Sequence, residues 1–314
     1  MYVTSFITLT SKAIKNVIIA YRKPVCWSFY RSYHRDRLDG QSVKCEPSLS
    51  SRVLSRPIMN FENKVVLITG ASSGIGAATA VYFAGLGADL VLAARNETNL
   101  AKVGQDCEEA GKRKPLLVVT DVTKEDDNER LIKKTIEHFK KLDVLVNNAG
   151  RGCAGSIENT SLEQFDDMMT INVRSVYHLT MLAVPHLIQS KGSVVNVSSI
   201  AGTRSFPNFL AYCIAKAAID QFTRCTALDL APKQVRVNCV NPGVIISNFH
   251  REVGMDEEAY KAYLERSKQT HALGRVGEGH EVAAAIAFLA GETASFITGV
   301  CLPVDGGKHA MCPR

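Results

Sequence analysis

From residue 64 onward, short β-branched and aliphatic runs alternate with longer segments of helical character. The runs fall at 64–69, 89–94, 115–120, 142–147, 192–198 and 234–240, with a last one near 299–304 after a helix that begins around Glu281. Leu116-Leu117-Val118-Val119 and Val144-Leu145-Val146 show no polar alternation, as expected of strands covered on both faces. This alternation predicts an α/β fold: a doubly wound, parallel, seven-stranded sheet with helices on both faces. No internal repeat, low-complexity stretch or interior linker interrupts it, so one domain is expected over residues 59–314.

In open parallel sheets, ligands sit beyond the carboxyl ends of the strands, near the point where strand order reverses. The polar and glycine-rich positions fall at those ends: Gly70, Arg95, Asp121, Asn147-Asn148-Ala149-Gly150, Ser198-Ser199 and Asn241-Pro242-Gly243. The first end is the most informative. Thr69-Gly70-Ala71-Ser72-Ser73-Gly74-Ile75-Gly76 follows Val65-Val66-Leu67-Ile68, so a buried strand enters a helix through a turn with almost no side chains. Such a backbone can approach a pyrophosphate closely, and the free amides of the helix start provide donors and partial positive charge. A dinucleotide site is expected there.

Charge separates the chain into two parts. Residues 1–58 carry ten Lys or Arg against three acids, while the remainder is close to neutral within a formal total of +6. A near-neutral body gives no reason to invoke nucleic acid. Residues 1–35 contain no acid, and Phe6, Leu9, Ala13, Val17 and Ala20 can share a helical face, which resembles a mitochondrial presequence. Other readings stay open: a start at Met59 with an artefactual upstream segment, a disordered tail, or a membrane-surface helix. A cytoplasmic enzyme is expected, or a mitochondrial one if the leader is a targeting segment. Lys12 and Lys15 interrupt the apolar stretch of the leader, so a transmembrane span is not expected. Nine cysteines occur without a CxxC pair or zinc-like spacing, which points to neither a disulfide framework nor a metal site. Cys153 and Cys213 flank candidate site residues; small buried thiols are the favoured reading over reactive ones.

Tyr212 and Lys216 stand one helical turn apart in the segment Ala211 to Leu230, and so share a face. A phenol is a poor acid or base at neutral pH, but an adjacent ammonium and the positive nicotinamide of an oxidised cofactor favour phenolate. Ser199, thirteen residues earlier at the end of the fifth strand, makes a chance pairing improbable.

These motifs resemble the short-chain dehydrogenase/reductase family in its single-domain branch, whose sheet is of the Rossmann type. The resemblance covers residue 61 to about 308 and includes Thr-Gly-x-x-x-Gly-x-Gly at 69–76, Asn-Asn-Ala-Gly at 147–150, Asn172, Ser199, Tyr212-x-x-x-Lys216, Pro242-Gly243 and Leu302-Pro303-Val304-Asp305-Gly306-Gly307. The chain is also similar to proteins described as 3-oxoacyl-carrier-protein reductase-like. The resemblance implies Tyr212 as general acid/base and Lys216 as holder of the nicotinamide ribose and a depressor of the Tyr212 pKa. Ser199 would hydrogen-bond the substrate oxygen, and Asn172 would hold a water of a proton relay, or kink or cap its helix. For the cofactor it implies Gly70, Ser72, Ser73, Gly74, Ile75 and Gly76 at the pyrophosphate turn and Asp121 at the adenine amine. Asn148 and Gly150 would line the adenosine side, and Pro242, Ile245 and Ser247 the nicotinamide loop. Ser247 replaces a threonine common there. A homotetramer is also implied, with the C-terminal segment near a subunit contact.

Nucleotide choice turns on the end of the second strand. An acid there would bind the ribose 2′-hydroxyl and repel a 2′-phosphate; Ala94 holds that place, and Arg95 follows with a guanidinium suited to phosphate. NADP(H) is therefore expected rather than NAD(H), although Ser73 departs from the basic residue some NADP-dependent relatives carry. The expected activity is hydride transfer between NADP(H) and a small-molecule carbonyl or secondary alcohol. The competing class is a nucleotide-binding regulator or scaffold without turnover. Substrate identity is expected in residues 151–160 and 244–275, where Asp256-Glu257-Glu258-Ala259-Tyr260-Lys261 starts an amphipathic segment that could act as a lid, its charges read as a solvated face.

Overall fold

A computed structural model describes residues 59–247, 249 and 254–312; the readings made for residues 1–58 lie outside the described residues. The strands are β1 (Val65–Thr69), β2 (Asp89–Ala94), β3 (Leu116–Val119), β4 (Val144–Asn147), β5 (Ser193–Val197), β6 (Arg236–Pro242) and β7 (Cys301–Val304). The α-helices are α1 (Gly74–Gly85), α2 (Glu97–Gly111), α3 (Glu125–Phe139), α4 (Leu162–Met169), α5 (Ser175–Ser190), α6 (Leu210–Leu230), α7 (Glu257–Gln269) and α8 (Gly279–Ala290). The seven strands form one sheet in the order β3-β2-β1-β4-β5-β6-β7, every neighbouring pair parallel. This is the doubly wound sheet expected from the sequence. β6 pairs two residues further than its apolar run suggested, through Asn241 and Pro242.

Every residue of β1 is buried, and the period-two alternation of a strand divides them between two cores. Val66 and Ile68 join Phe83 of α1, Leu100 of α2 and Ile286 of α8 on one face. Val65 and Leu67 join Leu131 of α3, Leu179 of α5 and Leu230 of α6 on the other. Burial on both faces explains the absence of polar alternation. The order reverses between β1 and β4, so their carboxyl ends open a crevice between the turns that follow them.

Among the described residues, no helix is long and apolar enough to cross a membrane. Arg236, at the start of β6, donates to the carbonyls of Leu289, Ala290 and Gly291 at 2.6, 2.8 and 3.0 Å. It thereby closes the C-terminal end of α8, where free carbonyls gather negative charge.

The seating of α1 on β1 depends on an absent side chain. A Cβ at Gly76 would lie 2.2 Å from the Gly70 carbonyl oxygen and 2.5 Å from Asn148 Nδ2. Gly76→Ala must displace backbone, and is expected to destabilise the fold by about 1–3 kcal/mol, the usual cost of overpacking. Urea titration would read this as a lower midpoint at unchanged slope; an unchanged midpoint would show that the turn can relax.

Candidate active site

The turn after β1 takes its shape from Gly70 and Gly74, both in the left-handed region at φ +65° and +55°. Ser73 precedes α1 in extended conformation and makes no side-chain cap, and the first turn carries no acid. The amides of the helix start are thus not claimed by a side chain of the turn. This suits an incoming phosphate.

Asn148, just past β4, stitches the crevice together. Its Nδ2 donates to the Thr69 and Gly70 carbonyls at 2.9 and 3.2 Å, and its amide donates to Thr69 Oγ1 at 3.0 Å. It therefore holds the two strand ends together as well as lining the space between them.

A cleft of ≈ 990 Å³ runs across the carboxyl ends of the strands. Of the residues singled out in the sequence, it is lined by Gly70, Ser72, Ser73, Gly74, Ile75, Arg95, Asp121, Asn148, Gly150, Asn172, Ser199, Tyr212, Lys216, Pro242, Ile245 and Ser247. Gly76 lies beneath it, packed on the turn. At one end, Asp121 accepts from the amide and hydroxyl of Thr123 at 3.1 and 2.7 Å. Burial works to raise its pKa, but those hydrogen bonds and the charges of Arg95 and Lys124 outweigh it and hold the carboxyl below its usual range.

Farther along, Tyr212 and Lys216 project from α6 on one face, with the Lys216 ammonium 5.7 Å from the phenol ring centroid. Lys216 is buried, and its Nζ donates to the Val197 carbonyl at 3.0 Å. Burial lowers its pKa to about 8, with Asp220 pulling the other way. Tyr212 shifts in the opposite direction from Lys216. Burial pushes the phenol up to about 12, and only its hydrogen bond with Ser199 draws it back. Desolvation thus dominates, and the protein's own groups favour the protonated phenol.

Asn172 lies within a π-helical turn, Thr170–Arg174, between α4 and α5. Its Nδ2 donates to the Arg151 and Met168 carbonyls at 3.0 and 3.1 Å, and its Oδ1 accepts from the Arg151 amide at 3.3 Å. The interrupted helix turns the amide toward the loop after β4. There a Cβ at Gly150 would lie 2.6 Å from Asn172 Oδ1 and 3.6 Å from Lys216 Nζ, so the three residues meet.

Other contributors escaped the sequence reading. Asn241 Nδ2 donates to the Ser199 carbonyl at 2.9 Å and to both Asp220 oxygens at 3.0 Å, so a buried carboxylate on α6 holds the end of β5 through β6. Asp220, Cys239 and Cys301 converge within 4.8 Å, a cluster that sequence spacing does not disclose. Phe206, Pro207, Phe209 and Lys308 also line the cleft. Phe206 to Phe209 lie between Ser199 and Tyr212, and a segment joining two wall residues has to pass the space between them. Lys308 carries no such signal.

Of residues 151–160 only Arg151 lines the cleft, whereas 244–275 contributes a whole wall. On α7, Tyr263, Arg266 and Ser267 face the cleft. Tyr260 is buried, donates to the Ser247 carbonyl at 3.0 Å and accepts from its amide at 3.3 Å. Neither Cys153 nor Cys213 lines the cleft; Cys153 packs beside Tyr212 in a small apolar cluster.

A sequence profile described as enoyl-(acyl carrier protein) reductase matches residues 70–309. The chain is 38% identical to meso-2,3-butanediol dehydrogenase of Serratia marcescens over 80% of this chain and 97% of that one. It is 36% identical to a 3-oxoacyl-(acyl-carrier-protein) reductase of Thermotoga maritima, over 79% and 99%. A short-chain dehydrogenase/reductase of unknown function from Caenorhabditis elegans, solved with cofactor, superposes with a TM-score of 0.77 at 37% identity, over 82% and 98%. Carveol dehydrogenase from Mycobacterium avium in complex with NAD superposes at 0.76 with 25% identity, over 81% and 100%. With the crossed sheet, the glycine turn and the shared cleft already in place, these likenesses establish that the chain belongs to the short-chain dehydrogenase/reductase family of oxidoreductases.

Proposed function

We propose that this chain is an NADP(H)-preferring carbonyl reductase or secondary alcohol dehydrogenase in which Tyr212 moves the proton. The observation that carries the reading is the meeting of Ser199, Tyr212, Lys216 and Asn172 in the cleft that the glycine turn opens. The bound nicotinamide would supply or accept the hydride. Ser199 donates to the substrate oxygen and steadies the charge that develops on it. Tyr212 gives that oxygen its proton in reduction and removes it in oxidation. A phenol held near 12 by burial is protonated throughout the neutral range, which suits the reductive direction. Lys216 binds the ribose hydroxyls, and Asn172 keeps the Gly150–Arg151 loop in register with its ammonium.

The preference for NADP(H) rests on Arg95. It lines the cleft next to Ala94, has no ion-pair partner among the described residues, and is close enough to lower the Asp121 pKa. Asn96 and Asn99, which also line this end, add polar groups suited to a phosphate.

Exposed apolar side chains support assembly into a homotetramer. Tyr177 and Met181 of α5 and Leu228 of α6 are 59%, 53% and 75% exposed, and Phe296 before β7 is fully so. Apolar groups of this size so placed suit contact with further copies.

Tyr212→Phe is expected to retain NADPH binding in a fluorescence titration while ketone reduction falls by about 10²–10⁴-fold. Full activity in that variant would remove Tyr212 from the mechanism, and tight binding without turnover of any carbonyl by the unaltered protein would favour the regulator reading. Arg95→Glu should lower the NADPH-to-NADH ratio of kcat/KM by at least about tenfold, since it replaces a phosphate-binding charge by a repelling one. An unchanged ratio would place the selectivity elsewhere. Light scattering should give four copies for the unaltered chain and fewer for Leu228→Glu; a monomer at the outset would refute the assembly.

A further inference from the structure

Beyond the reacting groups, the cleft contains two cations that the reaction does not use. Lys308, in the turn after β7, is half-buried and carries its ammonium 5.6 Å from the Phe206 ring centroid, with Nζ donating to Thr270 Oγ1 at 3.2 Å. Arg266 of α7 has its guanidinium 6.0 Å from the Tyr263 ring centroid. Both line the cleft, as do Phe206, Tyr263 and Thr270.

They stand at the end where the substrate must enter. Phe206 belongs to the loop joining Ser199 to Tyr212, and Tyr263 is close enough to Tyr212 to raise its pKa. Phe249, whose ring centroid lies 5.5 Å from that of Tyr212, continues the aromatic wall. Arg95 and Asp121 mark the opposite, adenosine end.

Neither cation meets a carboxylate within ion-pair distance among the described residues. Asp305, the acid nearest Lys308 in sequence, is buried and engaged elsewhere: it accepts from the Gly307 and His309 amides at 3.1 and 2.6 Å and contacts His309 Nδ1 at 2.9 Å. Arg151, another cleft-lining cation, is paired with Asp167 at 3.0 Å. Burial also lowers the Lys308 pKa; the charge of Asp305 opposes this, and Arg266 adds a smaller lowering. A half-buried cation beside an exposed second one, with no carboxylate among the described residues in direct contact with either, offers a bound anion two charges to meet.

We propose that the substrate carries an oxyanion, a carboxylate or phosphate, which Lys308 and Arg266 hold while its carbonyl lies at Ser199 and Tyr212 and its apolar body rests on the aromatic wall. This inference rests on the oxidoreductase reading and narrows its substrate class.

The test compares matched ketones with the full chain and NADPH: 4-acetylbenzoate, its methyl ester and 4-acetylphenyl phosphate. One of the anions should exceed the ester in kcat/KM by at least about tenfold, the scale of a charged hydrogen bond. That ratio should fall to about one in the double variant K308Q/R266Q. Whichever anion is preferred identifies the group as carboxylate or phosphate. An ester reduced as well as both anions, or a preference that survives in the double variant, overturns the proposal. A second readout needs no turnover: the increase in Tm that each anion adds to the NADP⁺-saturated protein should drop to that of the ester in the double variant. Equal increases in the two proteins, or no increase from either anion, overturn the assignment of these cations. Absent turnover with the difference in Tm intact counts against the oxidoreductase reading alone.

Discussion

The contact on which the rest of this fold depends is the approach of the start of α1 to the turn after β1, close enough that a single methyl group at position 76 would meet the Gly70 carbonyl oxygen. It places the amino end of a helix at the mouth of the crevice between β1 and β4. Asn148 fixes the distance across that mouth by bonding the opposite strand end to the same turn. Two glycines and one amide thus give the topological crossing a mouth of fixed width, of the kind that suits an anion.

A second constraint is the burial of charge on α6. Lys216 and Asp220 lie one turn apart, both nearly inaccessible to water, and each is satisfied by a strand end: Lys216 by the Val197 carbonyl, Asp220 by Asn241. Buried charges persist only where such partners are fixed in place. The helix is therefore tied to β5 and β6 by the same residues that set Tyr212 and Ser199 relative to each other. Stability and the relative placing of Tyr212 and Ser199 depend on common atoms here.

The fold was legible because a sheet covered on both faces leaves a clear trace: unbroken apolar runs separated by helical segments, with polar or glycine-rich positions at their carboxyl ends. Tyr212 and Lys216 were legible as neighbours because a four-residue spacing puts both on one helix face. What remained hidden came from groups brought together across strands. Nothing local to Asp220, Asn241 and Ser199 announces that they form a chain of hydrogen bonds, and Lys308 reaches the cleft only because β7 ends beside β6. The burial of Tyr212 was hidden for a related reason. The neighbouring ammonium was visible in the sequence, but the burial that pushes the phenol up was not.

The paired hydrogen bonds between Tyr260 and Ser247 connect the loop after β6 to α7 along one wall of the cleft. The two regions are one mechanical piece. Changes made on α7 will be felt by the loop after β6, and changes to the loop will be felt by the helix. Their effects will not add as those of distant sites do. Reshaping this wall of the cleft consequently has to vary the loop and the helix together.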